Sequence, residues 1–555
     1  MKLRIDHPFW VRVSIALLLP VMLPIAPLLA QPALPLIKAN STQVRIKDGY
    51  VVREGIWTVS PQLKPDTYTA LEPFTNKTIT FYTDVDSIAF SVKPGHRYAF
   101  NILLQGKDTC LTQIVVGNVP NGLATSGQSE LPLNTEQLAM DFVVFRDYLK
   151  HEHPGLYRYR AKEKIDKLLD SCLLSIDRPL ASSEFAKKIL FSISHIQDAH
   201  TGTTFTGALV RRYQDSTKLF PIDLYFAGDK AFIVCSNSGQ IEVGSELLSI
   251  NNRSITAIRQ DLFSYLPSDG SIQTKKIHTV NNGAFPFLYK WIIGHGDSLT
   301  IDYKPRDKHV RSATIGAELV KNFTCTFDRR ASTGKLVDLS FPQPNVALMT
   351  ITTFDESRLS NAKLDFRAFL QGSFAEINRT KPATLILDLR NNAGGLDEYG
   401  ALLFSYLAKG PFNYFTTVES THKKSTVAEN HLLNRQLAQE LSFKGKVYIL
   451  INGLSFSTTA DFCAITKSNG RAQFVGEETG GGYYGNSSGQ LLKIELPHSK
   501  LNVLIPRFNY VNAVKPAIYP DRGTIPDYEI IPTVDDLLRK RDVQLQYCLD
   551  LIQKK

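Results

Sequence analysis

Hydrophobic positions change period three times along these 555 residues. Between residues 40 and 120, the runs Val44 to Ile46, Thr78 to Tyr82, Ile88 to Val92 and Tyr98 to Leu104 are alternating or apolar. Gly, Pro, Asn and Asp separate them, which predicts short strands in a small β-sandwich or barrel. From Asn134 to Ile196 the period becomes helical. Leu138, Phe142, Phe145 and Leu149 share one face, as do Ile165, Leu168, Leu169 and Cys172, and then Phe185, Ile189, Ile193 and Ile196. His153-Pro154-Gly155 breaks the first helix from the second.

Residues 218 to 305 return to strands, with Phe220 to Phe226 and Lys230 to Cys235 as a pair. A Gly244-to-Asn251 turn and strand follows, then a helix over Ile255 to Leu266. From Phe341 onward, continuous apolar strands (Val346 to Ile351, Thr384 to Leu389, Val447 to Ile451, Gln473 to Val475) alternate with helices over Ala362 to Ile377, Gly400 to Leu407 and Ala460 to Lys467. Strands apolar on both faces between amphipathic helices predict a largely parallel, covered sheet.

Charge and cysteine change this picture little. The net charge of +10 is spread without a Lys/Arg block or an aromatic-basic stripe, which argues against nucleic acid as a partner. The six cysteines are dispersed without a CxxC or Cys/His cluster, so no metal site is expected, and each is read as a buried apolar side chain. Lys2 and Arg4 precede an apolar stretch from Val13 to Leu29 that carries Pro20, Pro24 and Pro27 and closes at Ala30-Gln31. This predicts a signal peptide cleaved near Ala30 and an exported, periplasmic or extracellular protein; the prolines oppose a stable membrane helix. No later segment has the length and apolarity to span a membrane.

Three islands carry candidate chemistry. Asp388 to Gly395 places glycines at the end of a buried strand, where bare N–H groups can face a developing oxyanion; it lacks the lysine of a phosphate loop. Asn452 to Thr459 is a strand–turn–helix unit with two candidate nucleophiles, Ser455 and Ser457, at a helix N-terminus. His200, in Gln197-Asp198-Ala199-His200-Thr201-Gly202, is the candidate base that a serine hydroxyl needs near neutrality. GxSxG is absent, so an α/β-hydrolase elbow is not indicated.

Taken together, LILDLRNNAGG, INGLSFSTTADF, FVGEETGGG, QDAHTG and GTIPDYEIIPT resemble the C-terminal processing (tail-specific) serine peptidases. The likeness is closer to the branch of the tricorn protease core and the interphotoreceptor retinoid-binding modules than to the Ser/Lys-dyad branch. It covers residues 135 to 540 and implies a multidomain α/β protein with a ClpP/crotonase-like core. Signal peptide (1–30), N-terminal β-rich domain (31–130), helical subdomain (131–204), PDZ-like β-domain (205–310) and α/β peptidase core (311–555) follow in order. By position in the motifs, the resemblance implies Ser457 as nucleophile, His200 as base and Asp521 as the acid that orients it. It also implies Gly394 (or Gly395) and Thr458 as backbone oxyanion donors. The lysine used by the dyad branch, 25 residues beyond the nucleophile, is replaced here by Gly482, and the serine that precedes the tricorn histidine is replaced by Ala199.

The activity implied is peptide hydrolysis through an acyl-enzyme, without metal or organic cofactor, on a polypeptide held at the PDZ-like domain near Gly244. Two other functions fit the same scaffold: an inactive peptide- or ligand-binding protein, and a serine hydrolase of esters or cell-wall peptides.

Overall fold

The computed structural model describes residues 132–204, 213, 215–239, 241–324 and 334–554, together with the backbone of strands between residues 38 and 116. Those early strands form a five-stranded and a three-stranded sheet. The leader expected over residues 1–30 lies outside the described residues.

Helices α1 (Thr135–Glu152), α2 (Lys162–Leu174) and α3 (Ser182–Ile196) follow. A capping box starts α1: Gln137 N–H donates to Asn134 Oδ1 at 2.9 Å and Asn134 N–H to Gln137 Oε1 at 3.1 Å. The apolar faces read from the sequence are the buried ones, with Leu138, Phe142 and Leu149 fully enclosed. Gln197 ends α3 in the left-handed region at φ 65°. Residues Gly202–Thr204 then pair antiparallel with the long strand Asn502–Asn512, so His200 is fixed between a helix end and a sheet edge.

The next unit is a sheet of β1 (Ile222–Ala227), β2 (Lys230–Ser236), β3 (Glu246–Ile250), β4 (Ser298–Lys304) and β5 (Arg311–Gly316), in that order, with a short strand beside β3. Helices α4 (Ile255–Phe263) and α5 (Thr274–Thr279) lie between β3 and β4, and α4 stops three residues before the expected Leu266. On the outer edge of β1, Asn281 substitutes for a neighbouring strand: its Oδ1 accepts from Phe226 N–H at 2.6 Å and its Nδ2 donates to the Phe226 carbonyl at 2.9 Å.

The core sheet runs β6 (Val337–Gln343), β7 (Val346–Ile351), β8 (Thr384–Asp388), β9 (Lys446–Ile451), β10 (Gln473–Gly476), β11 (Tyr528–Glu529). Only β6 is antiparallel to its neighbour. Helices α6 (Phe366–Thr380), α7 (Asp397–Ser405) and α8 (Thr458–Ser468) connect these strands. α6 starts four residues after the expected Ala362 because Asp365 caps it by accepting from Arg367 and Ala368 N–H, and a separate short helix, Glu356–Asn361, precedes it. The hairpin Ser487–Glu495 with Asn502–Asn512 had no sequence expectation.

Packing divides the molecule into two main apolar clusters. One joins α1–α3, the inserted sheet and the hairpin; the other fills the core sheet around Leu385, Leu387, Ile449 and Phe462. The default reading of each cysteine as a buried apolar side chain is corrected at Cys235, which is disulfide-bonded. Cys172, Cys463 and Cys548 are free and buried. Among the described residues, no helix is long and apolar enough to cross a membrane.

Candidate active site

The serine turn is stitched to the glycine loop by hydrogen bonds. Asn452 Oδ1 accepts from Asn391 N–H (3.0 Å) and Leu454 N–H (3.1 Å), and Phe456 N–H donates to the Asn392 carbonyl (3.0 Å). Ser455 is fully buried: its hydroxyl donates to the Leu389 carbonyl at 2.9 Å and accepts from Asn452 N–H at 3.1 Å. That hydroxyl holds the turn together. Ser457 is partly exposed and sits at φ 55°, ψ −131°, immediately before α8. A positive φ at a serine costs energy, and here it presents Oγ at the helix N-terminus. Thr458 N–H opens α8, where no carbonyl of a preceding turn is available to it.

Gly394 (φ 96°) lies so close that a Cβ there would sit 2.8 Å from Ser457 Cβ and 3.0 Å from Thr458 N; a Cβ at Gly395 would run into the Phe354 carbonyl. Gly394 N–H donates to Asn392 Oδ1 at 3.0 Å. Thr458 Oγ1 lies 2.8 Å from both the Gly395 carbonyl and Asp397 Oδ1, and burial pushes the Asp397 carboxyl up to about 6.

The histidine reaches this turn from the other cluster. Asp198 Oδ1 accepts from His200 N–H (3.0 Å), Thr201 N–H (2.8 Å) and Thr201 Oγ1 (2.9 Å), so this carboxylate shapes the turn that carries His200. Burial opposes its charge, but His153 and these hydrogen bonds outweigh burial and hold it well below the usual carboxylate range. His200 Nε2 lies 3.1 Å from Ser457 Oγ, and the ring stacks on Phe456 with centroids 4.4 Å apart at 26°. Burial lowers the His200 imidazole to about 3 against the pull of Asp198, with Lys275 and Arg158 adding to the shift, so it is neutral near pH 7.

The structure does not bring Asp521 to His200. Its side chain is exposed, and its backbone carbonyl, not its carboxylate, meets the chain by accepting from Ser271 N–H at 2.9 Å. The adjoining turn is anchored by Glu478, which accepts from Arg522 Nε and Nη2 at 2.7 Å and from Gly523 N–H at 2.8 Å. His200 Nδ1 is buried without a hydrogen-bond partner among the described residues.

Three neighbours carried no sequence signal. Asp269 bridges the two halves by accepting from Ala199 N–H (2.8 Å) and Gly482 N–H (3.2 Å); burial, then repulsion from Asp198, raises its carboxyl to about 6. Lys275 of α5 places Nζ 2.9 Å from the Phe456 ring centroid. At such distances His200 and Lys275 can only occupy opposite faces of that ring. Burial drives the Lys275 amine below its ordinary range against the attraction of Asp269 and Asp198. Tyr159 fills the space beside Gly482, where a Cβ would run into its Oη. Spacing along the chain could not have disclosed any of the three, because each arrives from the helical region or the inserted sheet. Among the described residues, no group of three or more His, Cys, Asp or Glu side chains is arranged to hold a metal ion.

Residues 345–530, which contain the glycine loop and the serine turn, match the family model for Peptidase family S41. That match covers about a third of the chain and makes this segment similar to the serine peptidases of the C-terminal processing kind. The matched S41 segment leaves out His200, Asp269 and Lys275. A comparison with curated protein sequences returned no match. Among solved structures, mature CPAF complexed with lactacystin is similar at 14% identity and TM-score 0.52, over 76% of this chain and 98% of that one. Mature CPAF is similar at 14% identity and TM-score 0.50, over 74% and 95%. At that identity the likeness concerns the fold alone.

Proposed function

We propose that this protein hydrolyses polypeptides with Ser457 as nucleophile and His200, rather than a lysine, as general base. The observation that carries the proposal is the 3.1 Å approach of His200 Nε2 to Ser457 Oγ, at a serine held with positive φ before a helix. In this reading the neutral imidazole takes the Ser457 proton as Oγ attacks the scissile carbonyl. Thr458 N–H and the Gly394-Gly395 loop face the oxyanion, and the imidazolium returns its proton to the leaving amine; water then hydrolyses the acyl-enzyme. Gly394 N–H must leave Asn392 Oδ1 to donate, so Gly395 N–H is the readier partner for Thr458.

Export belongs to the same proposal. It is supported by the leader pattern of the first 30 residues and by the disulfide at Cys235, a bond that persists in oxidising compartments. A peptide-holding role for the inserted sheet rests on the Gly244-to-Asn251 sequence pattern; the Gly244 N–H (φ 95°) is spent on the Ile233 carbonyl at 2.7 Å and the β1 edge at Phe226 is occupied by Asn281.

One observation favours a second reading, a binding protein on the peptidase scaffold: His200 Nδ1 has no carboxylate behind it. Hydrolysis of an unfolded polypeptide separates the two. The first reading requires cleavage that falls about 10⁴-fold or more in Ser457→Ala and about 10²- to 10⁴-fold in His200→Ala. Wild-type protein that binds the polypeptide and never cleaves it establishes the second.

A further inference from the structure

A cavity of about 300 Å³ lies between the helical region and the inserted sheet. Arg160, His195 and Gln197 form one wall; Arg259, Gln273 and Lys276 form the other; no acidic side chain lines it. We propose that this cavity is a subsite for a carboxylate of the substrate polypeptide, so that the enzyme selects acidic chains. The inference rests on the peptidase reading for the identity of the ligand, and on the cavity alone for its charge.

The basic groups are poorly matched from within. Among the described residues, Arg160 makes no hydrogen bond or ion pair. Lys276 Nζ donates once, to the Phe263 carbonyl at 2.9 Å, which leaves two of its N–H groups for a ligand. Arg259 spends its terminal nitrogens on the Gly228 carbonyl and Asp229, while its Nε is buried and unpartnered. His195 Nδ1 donates to the Phe191 carbonyl at 2.8 Å and burial favours the neutral ring, so Nε2 is an acceptor and the donors for an anion are Arg160, Lys276 and Arg259. Burial lowers the Lys276 amine to about 8, and the charge of Arg160 pushes in the same direction. Among the described residues, only Arg259 of the three cations has a counter-ion, Asp229; Arg160 and Lys276 share the partly desolvated cavity without one, and an anion between them lowers the cost of holding both charges there. Guanidinium groups pair with carboxylates through two parallel hydrogen bonds, and the anion that a polypeptide substrate carries is a carboxylate.

Two lining residues are joined by sequence to the segments that carry the chemistry. Gln197 lies three residues before His200 on the same turn, and Lys276 follows Lys275, whose Nζ lies over Phe456. Both walls are therefore continuous with the segments packed against the nucleophile turn.

The test uses the full chain as Ser457→Ala, so that binding is read without turnover. Fluorescence anisotropy compares a peptide rich in Glu with its Gln counterpart, each with a free and an amidated C-terminus. The Glu peptide or the free terminus should bind about tenfold tighter than its neutral partner. Loss of the advantage on Glu→Gln assigns it to a side chain; loss on amidation assigns it to the chain end. Arg160→Gln and Lys276→Gln, made separately, should each reduce the advantage several-fold, and either variant suffices if the other does not fold. Equal binding of charged and neutral peptides, or an advantage that survives both substitutions, overturns the proposal. A wild-type protein that binds acidic peptides selectively yet cleaves nothing would overturn the hydrolytic mechanism and leave the subsite standing.

Discussion

His200 and Phe456 stack face to face, 4.4 Å apart and tilted by 26°, so the ring next to the nucleophile supports the imidazole where a carboxylate is missing. The same phenyl ring carries the Lys275 ammonium on its other face. A stacked aromatic pair contributes about 0.5–1.5 kcal/mol beyond the area it buries. Phe456→Leu should therefore lower kcat by about three- to tenfold with a smaller change in KM. Steady-state kinetics on one peptide checks this, and a change confined to KM would show that Phe456 serves binding and not the histidine.

The burial of His200 sets the pH dependence. Its imidazole titrates near 3 in the folded chain, against about 6.5 when exposed, so the neutral, proton-accepting form persists as pH falls through the ordinary histidine range. The acid limb of kcat/KM should lie below about pH 5. A limb near neutrality that disappears in Lys275→Met would transfer the role of base to Lys275, whose amine burial drives downward. The stability effect has a definite sign. Between about pH 6.5 and 3 the unfolded chain takes up a proton that folded His200 refuses, so stability declines as pH falls through that window. His200→Asn should flatten the decline in denaturant titrations.

Gly482 stands where the dyad branch has its lysine, and Tyr159 occupies the space a side chain would need. Gly482→Ala should cost about 1–3 kcal/mol through overpacking. Adding Tyr159→Phe should recover part of it by removing Oη. Gly482→Lys should not restore activity to His200→Ala. Thermal midpoints and peptide hydrolysis test the two parts separately, and a working lysine at 482 would place the base site elsewhere than His200.

Gly394 packs on the nucleophile at φ 96°. Gly394→Ala should reduce kcat by about 10²-fold or more, the order seen when a reacting group is misplaced, because its Cβ would press on Ser457 Cβ and the Phe456 carbonyl. Activity close to wild type would exclude this loop from the oxyanion site.

The sequence made one half of this site plain and left the other hidden. Ser457, Thr458, Gly394 and Gly395 lie on two strand ends whose apolar runs and glycines are local signals, and β8 and β9 are adjacent in the sheet. The α1–α3 faces were equally legible, because 3.6-residue periodicity survives burial on one side. His200 carried a motif but no local evidence of its 257-residue reach to Ser457. Asp269, Lys275 and Tyr159 had neither, since their contacts depend on how separate units dock. Asp521 was misplaced for the same reason: position in a motif does not determine whether the side chain or the carbonyl faces inward. Cys172, Cys463 and Cys548 are buried and free as read, and Cys235 differs because dispersal along the chain says nothing about pairing in space.

The central claim is that Ser457 is activated by His200. Its most direct measurement is mass-spectrometric mapping and rate determination of fluorophosphonate labelling. The account predicts one adduct, on Ser457, formed about 10²- to 10⁴-fold more slowly in His200→Ala. An adduct on Ser455, or labelling of Ser457 at an undiminished rate without His200, would contradict it.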